Sequence, residues 1–130
     1  MKMSVETLLR ELETKCKLDI TYPALQEKIN GLKSTYPMLP KAVLDMYQIS
    51  DGIEINVPGT VIYSVDKVSA INYANSSSPY ITIGCMSFGD EIVVEKRNGK
   101  ICQIDHETES EYLEWETFED LLEDELKAID

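Results

Sequence analysis

The chain has 130 residues, 43% of them hydrophobic, and a net charge of −12 at pH 7. This length and composition predict a single domain over residues 1–130 with its own core, and they exclude a disordered chain. No apolar run approaches the roughly 18 residues that cross a membrane, and the N-terminal residues lack the apolar stretch of a secretory signal peptide. We therefore expect a cytoplasmic location.

The negative charge is concentrated near the C-terminal end of the sequence. Residues 105–130 contain 12 acidic residues and one lysine, a net charge of −11, whereas residues 1–104 have a net charge of −1. Such a surface repels nucleic-acid phosphates and anionic lipids and attracts a cationic partner. Two interpretations stay open: an acidic segment that only keeps the chain in solution, or an acidic contact surface.

Three cysteines occur in the sequence, at Cys16, Cys85 and Cys102. An odd count without C-x-x-C spacing argues against a disulfide framework and against a zinc site. Cys85 and Cys102 lie in apolar, strand-like runs, which predicts that they act as small hydrophobic residues.

Three helices are predicted in the first part of the chain. Ser4 can cap the first, whose apolar residues recur at helical spacing up to residue 16. A weaker helix covers residues 24–33. The third begins at Pro40, which suits a first helical turn, and ends at Asp51-Gly52, where glycine can adopt a positive φ.

Strand-like patterns dominate the middle of the sequence. The predicted strands are residues 54–57, 60–64, 80–84, 90–96 and 100–105. A short helix at residues 64–74, capped by Ser64, interrupts them. Asn98-Gly99 predicts a tight hairpin between the last two strands, because this pair favours a two-residue turn.

The chain is predicted to end in an amphipathic helix. Thr117 and Asp120 resemble a capping box at its start, with Asp in place of the usual Glu or Gln. Helices before and after a group of strands indicate an α+β fold, with helices flanking a mainly antiparallel sheet.

Acidic residues between positions 90 and 109 could form a catalytic carboxylate pair. The residues in question are Glu91, Glu95, Asp105, Glu107 and Glu109. Successive side chains of a strand point in opposite directions, so the run 90–96 reads as a half-buried strand. This favours a solvated rim over an acid–base pair.

His106 is the single histidine of the sequence. With Asp105 and Glu107 beside it, it could join a metal site, but no second His or Cys stands at ligand spacing. We expect Asp105 and His106 to end a strand and to hydrogen-bond the turn backbone. The sequence also lacks a phosphate-binding loop and a nucleophile elbow. It therefore predicts no enzyme activity, catalytic residue, metal or cofactor.

Trp115 has two open interpretations. It can belong to the core or anchor a sheet edge, or it can be a hot spot for a partner, since tryptophan is enriched at such positions.

Several short motifs in residues 36–126 are similar to the SUKH superfamily, which includes a yeast cell-wall-synthesis regulator and many bacterial immunity proteins. The motifs are Leu39-Pro40, Tyr47 and Gly52 around one helix, then Ile83-Gly84, Gly89-Asp90, Gly99, Asp105-His106-Glu107 and Phe118. The order and spacing of these motifs carry the resemblance. It implies a SUKH-like α+β domain without an enzyme site.

For bacterial members, the resemblance also implies an immunity protein that binds and neutralises a cognate toxin. Many toxin domains are nucleases with basic surfaces, which an acidic surface can occupy in place of phosphate. The predicted partner-binding residues are Asp90, Glu91, Asp105, Glu107, Glu109, Glu111, Glu114, Trp115 and Glu116. We expect no binding to nucleic acid or membranes, and a monomer or weak dimer.

Two other functions stay open at this point. One is a non-enzymatic regulatory scaffold of the cell-wall-synthesis-regulator type. The other is a small hydrolase that uses the carboxylates of residues 90–109, which a deep pocket with two convergent carboxylates would favour.

Overall fold

The computed structural model describes residues 3–15, 18–56 and 59–129. Within these ranges the chain forms five helices and seven strands. The helices are α1 (Val5–Lys15), α2 (Gln26–Thr35), α3 (Lys41–Ile49), α4 (Val65–Ala74) and α5 (Phe118–Ile129). The strands are β1 (Leu18–Ile20), β2 (Ile53–Ile55), β3 (Thr60–Ile62), β4 (Tyr80–Met86), β5 (Glu91–Glu95), β6 (Ile101–Ile104) and β7 (Glu111–Trp115).

The strands form one antiparallel sheet in which each strand pairs with its neighbours in sequence, in the order β1 to β7. The predicted α+β fold with a mainly antiparallel sheet is confirmed. The predicted hairpin is formed by β5 and β6, but without the two-residue turn that Asn98-Gly99 favours. The backbone N–H of Glu95 donates to the Lys100 carbonyl at 2.9 Å, so residues 96–99 make the connection. In its turn, Gly99 has a φ of 75°, a conformation that glycine adopts without the steric cost other residues incur.

The five helices lie on one face of the sheet. Buried residues from every helix join one apolar cluster with alternate residues of the strands, which point to the same side. We call this side the helix face. The opposite side of β4–β7 is the open face, which carries Tyr80, Thr82, Glu91, Val93, Glu95, Cys102, Ile104, Glu111 and Glu114.

Three predicted helix caps are confirmed. The hydroxyl oxygens of Ser4, Ser64 and Thr117 accept hydrogen bonds from the backbone N–H three residues further on, at N–O distances of 3.2, 3.2 and 3.1 Å. Each cap satisfies a donor that the first turn of a helix leaves unpaired. None of the described helices is long and apolar enough to cross a membrane.

Two strands were not predicted, and both lie at the edges of the described sheet. β1 is only three residues long, and β7 contains two glutamates, which are depleted in strands. The weak second helix begins and ends two residues later than residues 24–33. Cys16 at the end of the first predicted helix, and Pro58 in a predicted turn, lie outside the described residues.

Candidate functional site

The strand register brings several of the predicted acidic residues onto one surface. Glu91 of β5 lies opposite Ile104 of β6, which lies opposite Glu111 of β7, while Cys102 of β6 lies opposite Glu114. The pairing of β6 with β7 is irregular between Gln103 and Ile104, so that Glu111 and Glu114 lie on the same side although they are three residues apart. Glu91, Glu111 and Glu114 therefore share the open face, and all three are exposed.

The loop between β6 and β7 adds two more exposed carboxylates. The Asp105 carboxylate accepts backbone hydrogen bonds from Glu107 and Thr108, at 2.8 and 3.1 Å, which confirms its predicted role in the turn. Glu109 has a φ of 58°, which a residue with a side chain adopts at a cost of about 1 kcal/mol. The turn leaves Glu107 and Glu109 pointing into solvent.

We call the exposed acidic residues around β7 the acidic patch. Its members are Glu91, Glu107, Glu109, Glu111, Glu114 and Glu116. Part of it borders a cavity of about 250 Å³, which is lined by Glu91, Asp105, His106 and Glu109 among other residues. Asp105 is half-buried and is held by its turn, so it contributes to the border of the patch but less to its accessible charge.

Nearby cations neutralise only part of this patch, and the His106 imidazole, whose Nε2 lies 3.8 Å from Glu107, adds a positive charge only when it is protonated. Lys100 Nζ lies 3.1 Å from both Glu114 and Glu116. Among the described residues, Glu91, Glu109 and Glu111 form no ion pair. Their polar contacts include neutral groups: Thr82 Oγ1 donates to Glu91 at 3.3 Å, and the Tyr80 hydroxyl donates to Glu111 at 2.9 Å.

Asp90 differs from its predicted role because it is only 3% exposed and lies on the helix face. Its carboxylate accepts hydrogen bonds from Gln103 Nε2 at 2.7 Å, from the backbone N–H of His106 at 3.0 Å and from His106 Nδ1. This network ties the start of β5 to the end of β6. Asp90 was predicted to bind a partner. This prediction is corrected, because the carboxylate is buried and accepts its hydrogen bonds from within the protein.

The same network shifts two pKa values in opposite directions. Hydrogen bonds from His106 and Gln103 lower the pKa of Asp90, and the hydrogen bond to Asp90 raises the pKa of His106. The cause is mutual stabilisation, since the carboxylate is favoured by its donors and the imidazolium by its negative acceptor. His106 was predicted to bond turn backbone; its ring instead bonds this side chain.

Trp115 belongs to the core, one of the two interpretations that the sequence left open. It is 8% exposed, and its indole Nε1 donates to Asp124 of α5 at 2.6 Å. The prediction that Trp115 binds a partner is therefore also corrected, because other described residues bury its side chain.

A buried carboxylate lies on the open face, at the end of β5. Glu95 is 6% exposed, so its interpretation as solvated rim is wrong. Its carboxylate accepts from Arg97 Nε at 2.8 Å and lies 4.0 Å from Cys102 Sγ. Tyr80 and Glu111 lie beside it, and together with Glu95 they line a cavity of about 540 Å³.

Two sets of side chains could offer atoms to a metal ion. Glu95, Cys102 and Glu111 have potential ligand atoms within 4.8 Å of one another, and so do Asp90, Asp105 and His106. Burial raises the pKa of Cys102 to about 12, which disfavours the thiolate that metals bind. In the second set, Asp90 and His106 already bond each other. Both sets act here as hydrogen-bonded groups, and the absence of a cofactor stays a prediction.

Tyr80 on the open face and Gln103 on the helix face were not among the predicted site residues, and Glu95 was predicted only as one of the candidate catalytic carboxylates. A usable signal existed for Gln103, since a polar residue between apolar ones at an inward strand position requires a buried partner. The positions of Tyr80 and Glu111 depend on pairing across four strands, which no local pattern contains.

Comparison with known proteins gives no relative: no protein-family model matches the chain, and no curated protein is significantly similar to it. The similarity to the SUKH superfamily therefore stays a prediction that depends on the motifs alone.

Proposed function

We propose that this protein is an immunity protein, which binds a cationic toxin and blocks its activity without chemistry of its own. The observation that carries the proposal is the acidic patch. Its exposed carboxylates come from β5, from β7 and from the loop between β6 and β7, and few cations lie near them. The motif similarity to SUKH proteins supplies the toxin as the class of partner.

The geometry of the patch supports tight and fast binding of a basic surface. Antiparallel pairing holds Glu91, Glu111 and Glu114 on a rigid sheet, so little conformational freedom is lost when they meet cations. Clustered charge also steers the encounter of oppositely charged proteins. On a nuclease, such carboxylates would occupy the positions of substrate phosphates, so that binding and inhibition are one event.

The primary experiment is co-expression with the toxin encoded beside this gene, with cell survival and recovery of the complex as readouts. We expect survival only when the protein is present, and a complex that weakens as salt concentration rises. Cells that die despite expression would contradict the proposal and favour the regulatory-scaffold alternative.

Charge reversal tests whether the acidic patch makes the contact. We expect the triple variant Glu107→Lys, Glu109→Lys, Glu111→Lys to bind the toxin at least about 100-fold more weakly, at roughly 1 kcal/mol per reversed charge. A matched control reverses Glu11, Glu13 and Glu27, which are exposed on α1 and α2 and change the net charge equally.

The control variant separates local contact from total charge. We expect it to lower affinity by less than about threefold, because charges outside the contact act only through screened, long-range attraction. Equal losses in the two variants would show that net charge, and not the acidic patch, attracts the toxin.

A further inference from the structure

β7 is an edge strand with an available backbone. It pairs with β6 on one side, with an irregularity between its residues Glu111 and Leu113, and no described residue pairs with its other side. The opposite edge is shorter, since β1 has three residues, and the chain after it is tied down by Thr21 and Tyr22, which bond Ser50 and Asp51. β7 is therefore the longer and more open of the two edges.

This edge is also unusually apolar for an exposed strand. Tyr112 is 65% exposed and Leu113 is 47% exposed, and they are adjacent on β7. Exposed edge strands usually avoid such residues because they invite pairing with other chains. Here the strand is held in place at both ends, by the Tyr80–Glu111 and Trp115–Asp124 hydrogen bonds.

The charge around β7 decides between possible occupants. Pairing with β7 of a second copy would bring Glu111 and Glu114 of both chains together, and like charges on neighbouring strands repel. A neutral segment would gain nothing from these carboxylates. A cationic segment would place its positive side chains beside Glu111 and Glu114, where opposite charges attract.

We propose that β7 accepts an extended, cationic segment of the partner protein as an eighth strand of the sheet. This inference rests on the proposed function and specifies how the toxin is held. Backbone hydrogen bonds would fix the segment along β7, as in other cases of strand addition. Its basic side chains would contact Glu111 and Glu114 on the open face, and its apolar side chains would cover Leu113 on the helix face.

A designed peptide provides a direct probe. An eight-residue peptide of alternating lysine and valine presents lysines on one side and valines on the other when it is extended. We expect it to slow hydrogen exchange of the outward-facing β7 amides by at least about tenfold at saturation, since strand pairing protects such amides. No change in exchange at β7 would overturn the inference.

Two control peptides separate strand pairing from charge attraction. The first carries N-methyl groups on alternate backbone amides and so loses its ladder hydrogen bonds, whereas the second has glutamate in place of lysine. We expect both to bind at least about tenfold more weakly. Equal binding of the N-methylated peptide would show attraction without pairing, which would overturn this inference but leave the proposed function standing.

A variant of the protein tests the same edge against the toxin. Tyr112→Lys with Leu113→Lys removes the apolar edge, and we expect at least about tenfold weaker binding of both peptide and toxin. The matched control, Leu25→Lys with Tyr73→Lys, changes exposed apolar residues of other surfaces. Equal effects of the two variants, or a salt-resistant dimer formed through β7, would also overturn the inference.

Discussion

The two faces of β4–β7 carry similar residues and use them in opposite ways. On the helix face, Asp90 is buried and its oxygens are bonded by Gln103 and His106. On the open face, the next residue, Glu91, is exposed and forms no ion pair with a described residue. Strand alternation alone separates these neighbours, so the direction of a side chain decides whether a carboxylate stabilises the fold or remains available to a partner.

The largest expected effect on stability comes from replacing Asp90, and replacing its neighbour Glu91 provides the comparison. Asp90→Ala leaves the buried amide of Gln103 without its acceptor, and we expect the melting temperature to fall by about 8 °C or more. Glu91→Ala removes a solvated group and is expected to change it by less than about 2 °C. Thermal unfolding followed by circular dichroism measures both; similar effects would contradict the assignment of the two residues to different faces.

Glu125 of α5, which packs against the helix face, predicts a smaller change in melting temperature, in the opposite direction. Glu125 is buried, its Oε1 accepts from Thr60 at 3.0 Å, and its Oε2 lacks a hydrogen-bond partner among the described residues. Burial raises the pKa of Glu125, the nearby charge of Asp124 raises it further, and the Thr60 bond opposes both. Its charged form is therefore unfavourable in the folded state.

The pH dependence of Glu125 follows from the direction of its shift. With a folded-state pKa above the ordinary 4.5, its stabilising contribution is complete below that pH and is lost as pH rises through the folded value. We expect Glu125→Gln to raise the melting temperature by about 3 °C at pH 8 and by almost nothing at pH 4. Glu123→Gln on the same helix is the control; an equal gain there would show a general charge effect.

The Asp90–His106 pair predicts that stability depends on pH, with a still smaller contribution at neutral pH. The raised pKa of His106 stabilises the fold below pH 6.5 and is lost as pH rises through the folded value; the lowered pKa of Asp90 contributes above pH 3.8 and is lost as pH falls through its folded value. The pair therefore contributes most between pH 3.8 and 6.5. NMR titration of the imidazole should show a lower His106 pKa in Asp90→Asn, and an unchanged pKa would contradict the network.

Cysteine labelling compares two thiols of the open face, Cys85 opposite Glu91 and Cys102 opposite Val93, without changing the protein's sequence. Cys102 is fully buried and burial raises its pKa to about 12, whereas Cys85 on β4 is half-buried. We expect iodoacetamide at pH 8 to modify Cys85 at least about tenfold faster than Cys102, because only the accessible thiolate reacts. Mass spectrometry of the separate peptides measures the two rates, and faster labelling of Cys102 would show that the centre of the open face opens.

Much of the fold could be predicted because its signals are local. The caps at Ser4 and Ser64, and the turn at Asn98-Gly99, each depend on a few adjacent residues. β7 could not be predicted in this way. Its glutamates disfavour a strand, and it forms because β6, Tyr80 and Asp124 hold it from elsewhere in the chain.

The candidate site could be predicted only in part, for the same physical reason. Charge concentration in residues 105–130 indicated an acidic surface, and the structure places most of the predicted glutamates there. Charge counting cannot show which carboxylates have internal partners. Alternation with Ile92 and Val94 predicts the buried side for Asp90, but its partners Gln103 and His106 come from β6 and the loop after it. The burial of Glu95 depends in the same way on neighbouring strands.

The order of the strands has a consequence for how the molecule assembles. Every strand pairs with its neighbour in sequence, and the connections from β2 to β3 and from β4 through β7 are short. Residues 21–52, with α2 and α3, lie between β1 and β2, and residues 63–79, with α4, lie between β3 and β4, so these two pairings close much longer loops. Helices α1 and α5, however, pack together although they lie at opposite ends of the described chain. We therefore expect the strands with short connections to pair early, and the contact between α1 and α5 to make the first and last described helices unfold together.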